Sequence, residues 1–182
     1  MHVLVTVGAT VNFDLLVEAV LEQNCLKALY QKGYRELSIQ IGHSQRYQEL
    51  QEERNGLIIN TWSIKPSLVE DIQKANLVIS HAGSGTILDV LRLHKPLIVV
   101  PNPTLLHNHQ LELADALQKR GYLIATTFLY DRHLFSLFQF ETNDTSDLPT
   151  TIARLEPEKL LHFPEFDSTK FSSLLDEIMG FD

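Results

Sequence analysis

A chain of 182 residues suits one domain of ordinary size, and 44% hydrophobic with 21% charged residues is the balance of a globular core under a wetted surface. A formal net charge of −8 with no basic face excludes a general grip on nucleic acid, which needs clustered Lys and Arg. The single cysteine, Cys25, excludes an intramolecular disulfide and suits a reducing compartment.

In chain order the first run, Val3–Val7, reads as a strand. No basic n-region or long apolar h-region stands there, so no secretory signal is expected. No apolar run reaches the roughly 20 residues of a membrane span, and the chain is expected to be cytosolic. A helix is expected over Phe13–Lys32, with Cys25 among Val20, Leu21, Leu26 and Leu29 as a buried, inert thiol. Strands follow at Leu37–Ile41, Leu57–Asn60, Leu77–Ser80, Leu97–Val100 and Leu123–Ala125. Helices are expected between them at Gln45–Glu53, Ser67–Lys74, Thr86–Leu93 and His107–Arg120.

Alternating strands and helices, with strands such as Leu97-Ile98-Val99-Val100 apolar on both faces, imply an α/β fold: a Rossmann-like parallel sheet flanked by helices. Residues 1–142 form the Rossmann-like unit on this reading. Residues 143–182 form a polar loop (Asn143 to Asp147) and a C-terminal amphipathic helix. Phe128–Phe140 is aromatic-rich and long enough for a short helix. In the last helix Phe171, Leu174, Leu175, Ile178 and Met179 share one face, which packs either on the domain or on a partner.

Ligands of such sheets bind beyond the carboxyl ends of the strands, so the polar residues there are the candidates. The most informative is Ser80-His81-Ala82-Gly83-Ser84-Gly85-Thr86-Ile87-Leu88-Asp89, a strand, a Gly-rich turn and a helix start. Free N–H groups and the helix dipole attract phosphate there, Gly83 and Gly85 admit close approach, and Ser84 and Thr86 add hydroxyls. Asp89, one turn on, suits a ribose hydroxyl, and a nucleoside diphosphate is the natural guest.

Other motifs fail on spacing. The third glycine of a dinucleotide fingerprint is replaced by Leu88, the Walker lysine is missing, and the serine does not sit in a nucleophile elbow. No D-x-D pair exists to hold a metal against a diphosphate. His43, His81, His107 and His109 fall at strand ends, but H-x-H on a helix aims its rings apart, so no metal and no cofactor is expected. Asn108 either faces the crevice or caps the following helix. Trp62 is either core or a wall for a flat base.

Three blocks, Ile79 to Thr86, Lys95 to Pro101 and Asn108 to Ala114, together resemble one family. It is the UDP-N-acetylglucosamine transferase subunits that make dolichyl-diphosphate chitobiose, the soluble donor-binding half of GT-B glycosyltransferases in family 28. The opening Val5 to Thr10 with Phe13 to Leu16, the run Glu70 to Ala75 and the closing Lys170-Phe171 fit as well. The pattern departs at Ala9, where the family has Thr, and at Gly42-His43-Ser44, where a Gly-Arg-Gly type loop is common.

The resemblance implies a fold equivalent to the C-terminal domain of a GT-B enzyme, with residues 1–142 as the nucleotide-sugar-binding domain. It implies that Asp89 is the ribose ligand, that His81, Gly83, Ser84, Gly85 and Thr86 face the diphosphate, and that Gly8, Ala9 and Thr10 line its other side. Asn108, His109 and Gln110 would reach the sugar, and Trp62 or Ser63 the uracil edge. It further implies transfer of GlcNAc from UDP-GlcNAc to dolichyl-diphosphate-GlcNAc with inversion. The acceptor half, and with it the general base, would be a membrane-anchored partner subunit that recruits this chain to the cytosolic face of the endoplasmic reticulum. The terminal helix would help that docking. A non-catalytic nucleotide-sugar-binding scaffold on the same fold is the alternative.

Overall fold

The computed structural model describes residues 1–8, 12–102, 109–126 and 147–165, the His109 side chain excepted. Strand β1 (His2–Thr6) leads through a glycine turn to helices α1 (Asp14–Leu21) and α2 (Gln23–Gln31), then β2 (Glu36–Gln40). Next come β3 (Gln51–Arg54), β4 (Leu57–Trp62), α3 (Val69–Lys74), β5 (Leu77–His81) and α4 (Ser84–Arg92). Strand β6 (Leu97–Val100), α5 (His109–Lys119), β7 (Ile124–Ala125), α6 (Leu148–Arg154) and a 3-10 turn at Pro157–Lys159 complete the described elements.

The seven strands lie in the order β3-β4-β2-β1-β5-β6-β7, all parallel except β3, which runs antiparallel beside β4. Central Val5 stands opposite Ile39 on one side and Ile79 on the other. The pleat sends successive residues to opposite faces, and both faces are buried. Val3, Val5, Leu77 and Ile79 join a cluster with Leu16, Val20, Leu26 and Leu29 of α1 and α2. Leu4, Val78, Leu97 and Val99 join the opposite cluster with Ile72 of α3, Ile87 and Val90 of α4, and Ala114 and Leu117 of α5. The α/β class and parallel sheet expected from the sequence are therefore observed.

Two expectations are corrected. The helix expected over Phe13–Lys32 is two helices, broken at Glu22, whose backbone is extended (φ −62°, ψ 143°). At 100° per residue, the apolar stripe of α1 (Leu16, Val17, Val20) and that of α2 (Cys25, Leu26, Ala28, Leu29) point about 150° apart. One straight helix would expose one of them, and the break lets both face the sheet.

The helix expected over Gln45–Glu53 is absent. Its last three residues belong to β3, joined to β4 by the two-residue turn Asn55-Gly56 with φ of +54° and +75°. Asn-Gly is the preferred sequence for a tight hairpin with both central residues left-handed, and it overrides the helical spacing of the polar residues before it.

Helix α6 lies within the stretch expected to begin as loop and end as helix. Its Asp147 cap accepts from Thr150 N–H at 2.9 Å, and Leu148, Ile152 and Leu155 pack into the cluster of α1 and α2. The helices expected over Phe128–Phe140 and Phe171 to Met179 lie outside the described residues.

Candidate functional site at the carboxyl edge of the sheet

Chain connections leave β1 and β5 in opposite directions along the sheet, so β1 and β5 part at a topological switch point. The Gly8 turn and the His81–Gly83 turn flank it. The His81 imidazole fills the space between them: a Cβ on Gly8 would lie 2.6 Å from Cε1 and Nε2, and one on Gly83 would collide with Nε2. Both glycines are thus explained by one ring. Burial holds the His81 pKa below the ordinary imidazole value, the Thr6 carbonyl pulling weakly the other way. The ring is therefore neutral near pH 7, and its Nδ1 has no partner among the described residues.

The loop after β2 joins the same edge. Gly42, at φ +64°, packs against Val7 Cγ2 (3.1 Å from a built Cβ) and the Gly8 carbonyl. Asn12 Nδ2 donates to the His43 carbonyl at 3.0 Å. Thr6 Oγ1 donates to Gln40 Oε1 at 2.5 Å and accepts from Gly8 N–H at 3.3 Å, pinning the β1 exit to β2. Ala9 and Thr10 lie outside the described residues.

Helix α4 begins at Ser84 behind Gly83 with no side-chain cap, so its first N–H groups point out of the helix without an intrahelical acceptor. Ser84 and Gly85 are exposed and Thr86 half-buried. Gly85 differs from the other two glycines: a Cβ there meets nothing within 4 Å, and its φ is ordinary. Nothing inside the fold asks for glycine at 85, which leaves room for an approaching group. Asp89 stands one turn further on the same solvent face, its carboxylate exposed. Ile87, Val90 and Leu91 are buried beneath them.

Beyond β6, Asn102 N–H donates to Gln110 Oε1 at 3.3 Å, which ties the start of α5 to the β6 exit. Asn108 and the His109 side chain lie outside the described residues.

At the β4 exit, Trp62 is half-buried on the cluster of α3 and α4. Lys65 Nζ lies 4.0 Å from the centre of its ring and pairs with Asp71 at 2.7 Å. Trp62 Nε1 is shielded from solvent with no partner among the described residues. Ser63 is held by Glu49, whose Oε1 accepts from Ser63 N–H at 3.0 Å and from its hydroxyl at 2.6 Å. These hydrogen bonds hold the exposed Glu49 carboxyl below its usual pKa. Sequence reasoning missed Glu49 because it fell inside a supposed helix. The Asn-Gly turn was the available signal: the register Gln51 opposite Asn60, carried two residues on, sets Glu49 opposite Trp62.

A concavity of about 310 Å³ lies at the far, amino-terminal end of β6, among His94, Lys95, Tyr122 and Phe163.

Residues 2–129 match the glycosyltransferase family 28 C-terminal domain. The chain belongs to this glycosyltransferase family. A human protein named UDP-N-acetylglucosamine transferase subunit ALG13 is 45% identical over 125 residues, covering 69% of this chain and 11% of that protein. The chain thus spans about a tenth of the length of the human and mouse relatives it matches. The solution structure of ALG13 superposes with a TM-score of 0.61 at 30% identity, over 96% of this chain and 94% of the other. MurG of Acinetobacter baumannii shares the fold, with a TM-score of 0.55 at 18% identity over 86% of this chain and 42% of that one. The fold is accordingly equivalent to the C-terminal domain of a GT-B glycosyltransferase. Among the described residues no helix is long and apolar enough to cross a membrane.

Proposed function

We propose that this chain is the donor-binding, catalytic subunit of a heteromeric N-acetylglucosaminyltransferase. It transfers GlcNAc from UDP-GlcNAc to dolichyl-diphosphate-GlcNAc, forming a β1,4 bond with inversion, an early step of lipid-linked oligosaccharide assembly for N-glycosylation. The observation that carries this reading is the mouth of α4: uncapped N–H groups, open space over Gly85, and an exposed Asp89 on the same face. The family and the printed name of the human relative support the donor class.

In this reading the 4-hydroxyl of the acceptor sugar attacks the anomeric carbon, the bond to UDP breaks, and a general base takes the hydroxyl proton. Charge on departing UDP is met by the N–H groups of Ser84, Gly85 and Thr86 and the dipole of α4, with Gly8, Ala9 and Thr10 along the other side. Loss of one such preorganised donor costs about 3 kcal/mol of barrier. Asp89 accepts from the ribose, and Asn108, His109 and Gln110 serve the sugar. Ser63 sits at the uracil edge, in preference to the Trp62 ring, which Lys65 already covers on one face.

A GT-B cleft needs two domains, and the family 28 C-terminal domain is one of them. The second is a membrane-anchored, acceptor-binding subunit that carries the general base and draws this chain to the cytosolic face of the endoplasmic reticulum. The test is co-purification with that subunit followed by transfer to a short dolichyl-diphosphate-GlcNAc. Nucleotide binding without transfer by the assembled pair would instead establish a scaffold. Asp89→Ala is expected to raise the KM for UDP-GlcNAc about tenfold or more, the size of a lost charge-assisted hydrogen bond, with Tm unchanged because the residue is exposed. An unaltered KM removes Asp89 from the site.

A further inference from the structure

Both protons of Ser63 are committed to one carboxylate oxygen. Its N–H and its hydroxyl donate to Glu49 Oε1, and its carbonyl accepts from Gly42 N–H at 3.0 Å. A serine hydroxyl has one proton and two lone pairs. With the proton given to Glu49, Ser63 Oγ meets any third group only as an acceptor. Glu49 itself, ionised, is an acceptor as well, so these two side chains present lone pairs and no free proton.

The pyrimidines differ at the matching position. Uracil carries a proton on N3 between two carbonyls, whereas cytosine carries a lone pair on N3 beside an amine. An acceptor-only hydroxyl pairs with the first and is opposed by the second. The β4 exit is three inter-strand spacings from the β5 exit, about 14 Å along the edge, so base and phosphates of one extended nucleotide fall at separate turns.

We propose that Glu49, by taking the Ser63 hydroxyl proton, makes that oxygen an acceptor and thereby selects a nucleotide whose pyrimidine is protonated at N3. This rests on the reading above that the base of the donor lies at the β4 exit. Glu49 is a positioning residue acting through Ser63. Its carboxylate oxygen matters as the acceptor of that proton: an alanine in its place removes the acceptor and frees the Ser63 hydroxyl to turn and donate.

The experiment is calorimetric titration of the full chain with UDP and with CDP, for the wild type, Glu49→Ala and Ser63→Ala. The wild type is expected to favour UDP, and Glu49→Ala to shrink the UDP-over-CDP ratio about tenfold, a hydrogen bond's worth of discrimination. Ser63→Ala is expected to weaken UDP more than CDP. Base selectivity is a quantity that a merely structural role for an exposed carboxylate leaves alone. If UDP binds and Glu49→Ala keeps the wild-type ratio, the inference falls while the donor-site reading stands. If the wild type binds neither nucleotide, or both equally, the placement of the base fails and takes the inference with it.

Discussion

Three glycines at the carboxyl edge hold their positions for three different reasons. Gly8 is left-handed (φ +81°) and touches His81, Gly83 touches His81 at ordinary φ, and Gly85 touches nothing. Alanine at 8 or 83 must push the imidazole aside, so both variants are expected to lose stability, position 8 more because its backbone is strained too. Alanine at 85 fits the fold and improves helix propensity, so the Tm is expected to hold or rise slightly, by no more than about 1 kcal/mol. UDP binding should nonetheless weaken, because the methyl group enters the space above the helix mouth. A Gly85→Ala chain that binds UDP as the wild type does removes that space from the site.

His81 carries a pH signature. Its folded pKa lies below the unfolded value of 6.5, so the unfolded chain takes up this proton more readily. The stability it contributes is complete above about pH 6.5 and is lost as pH falls from there through the lowered folded value. Thermal melts from about pH 7 to about pH 5 should show a falling Tm, with a shallower slope in His81→Asn. The slope does not vanish, since burial lowers the pKa of His2 as well. Equal slopes would mean that the ring is not held neutral. Residue type alone marked His81 and the glycines as candidates. It carried no information on the packing of one ring between two turns, because those turns are 73 positions apart in sequence and meet only through the pairing of β1 with β5.

Elements were legible where one period dominated and illegible where two competed. Strands β5 and β6 stand where their unbroken aliphatic runs put them, and α4 follows from Ile87, Val90 and Leu91 at i, i+3 and i+4. The α1–α2 break was hidden because Glu22 is neither Gly nor Pro; what breaks the helix is the angle between two apolar stripes. Helix α6 was hidden behind a polar stretch whose last residue, Asp147, is its cap. Asp147→Ala is expected to cost about 1 kcal/mol, the usual loss of a capping hydrogen bond, measured by denaturant unfolding. Ile152→Ala, which opens a void between α6 and α2, is expected to cost about 2–5 kcal/mol. If instead Ile152→Ala leaves stability unchanged, α6 is not part of the folded core.

At the scale of the molecule, two apolar clusters clamp a parallel sheet and leave its carboxyl edge to carry loops. The exits of β1, β2, β4, β5 and β6 bring Gly8, Gly42, Ser63, His81 and Gln110 to one edge although they span 103 positions of the chain. On the proposed function this edge forms one side of a two-domain cleft, and transfer is then expected only with the second subunit present.

The amino-acid sequence by itself determined the layer architecture and the family, and marked the glycine turn before α4 as the candidate site, because each is written in local spacing: runs of β-branched residues, glycines before a helix, an acid one turn on. Only the tertiary structure decided which turns touch, that Ser63 gives its proton to Glu49, and that Gly85, unlike Gly8, Gly42 and Gly83 at the same edge, faces open space. Those facts depend on strand register and on how far one ring or carboxylate reaches, and neither is encoded within any single segment.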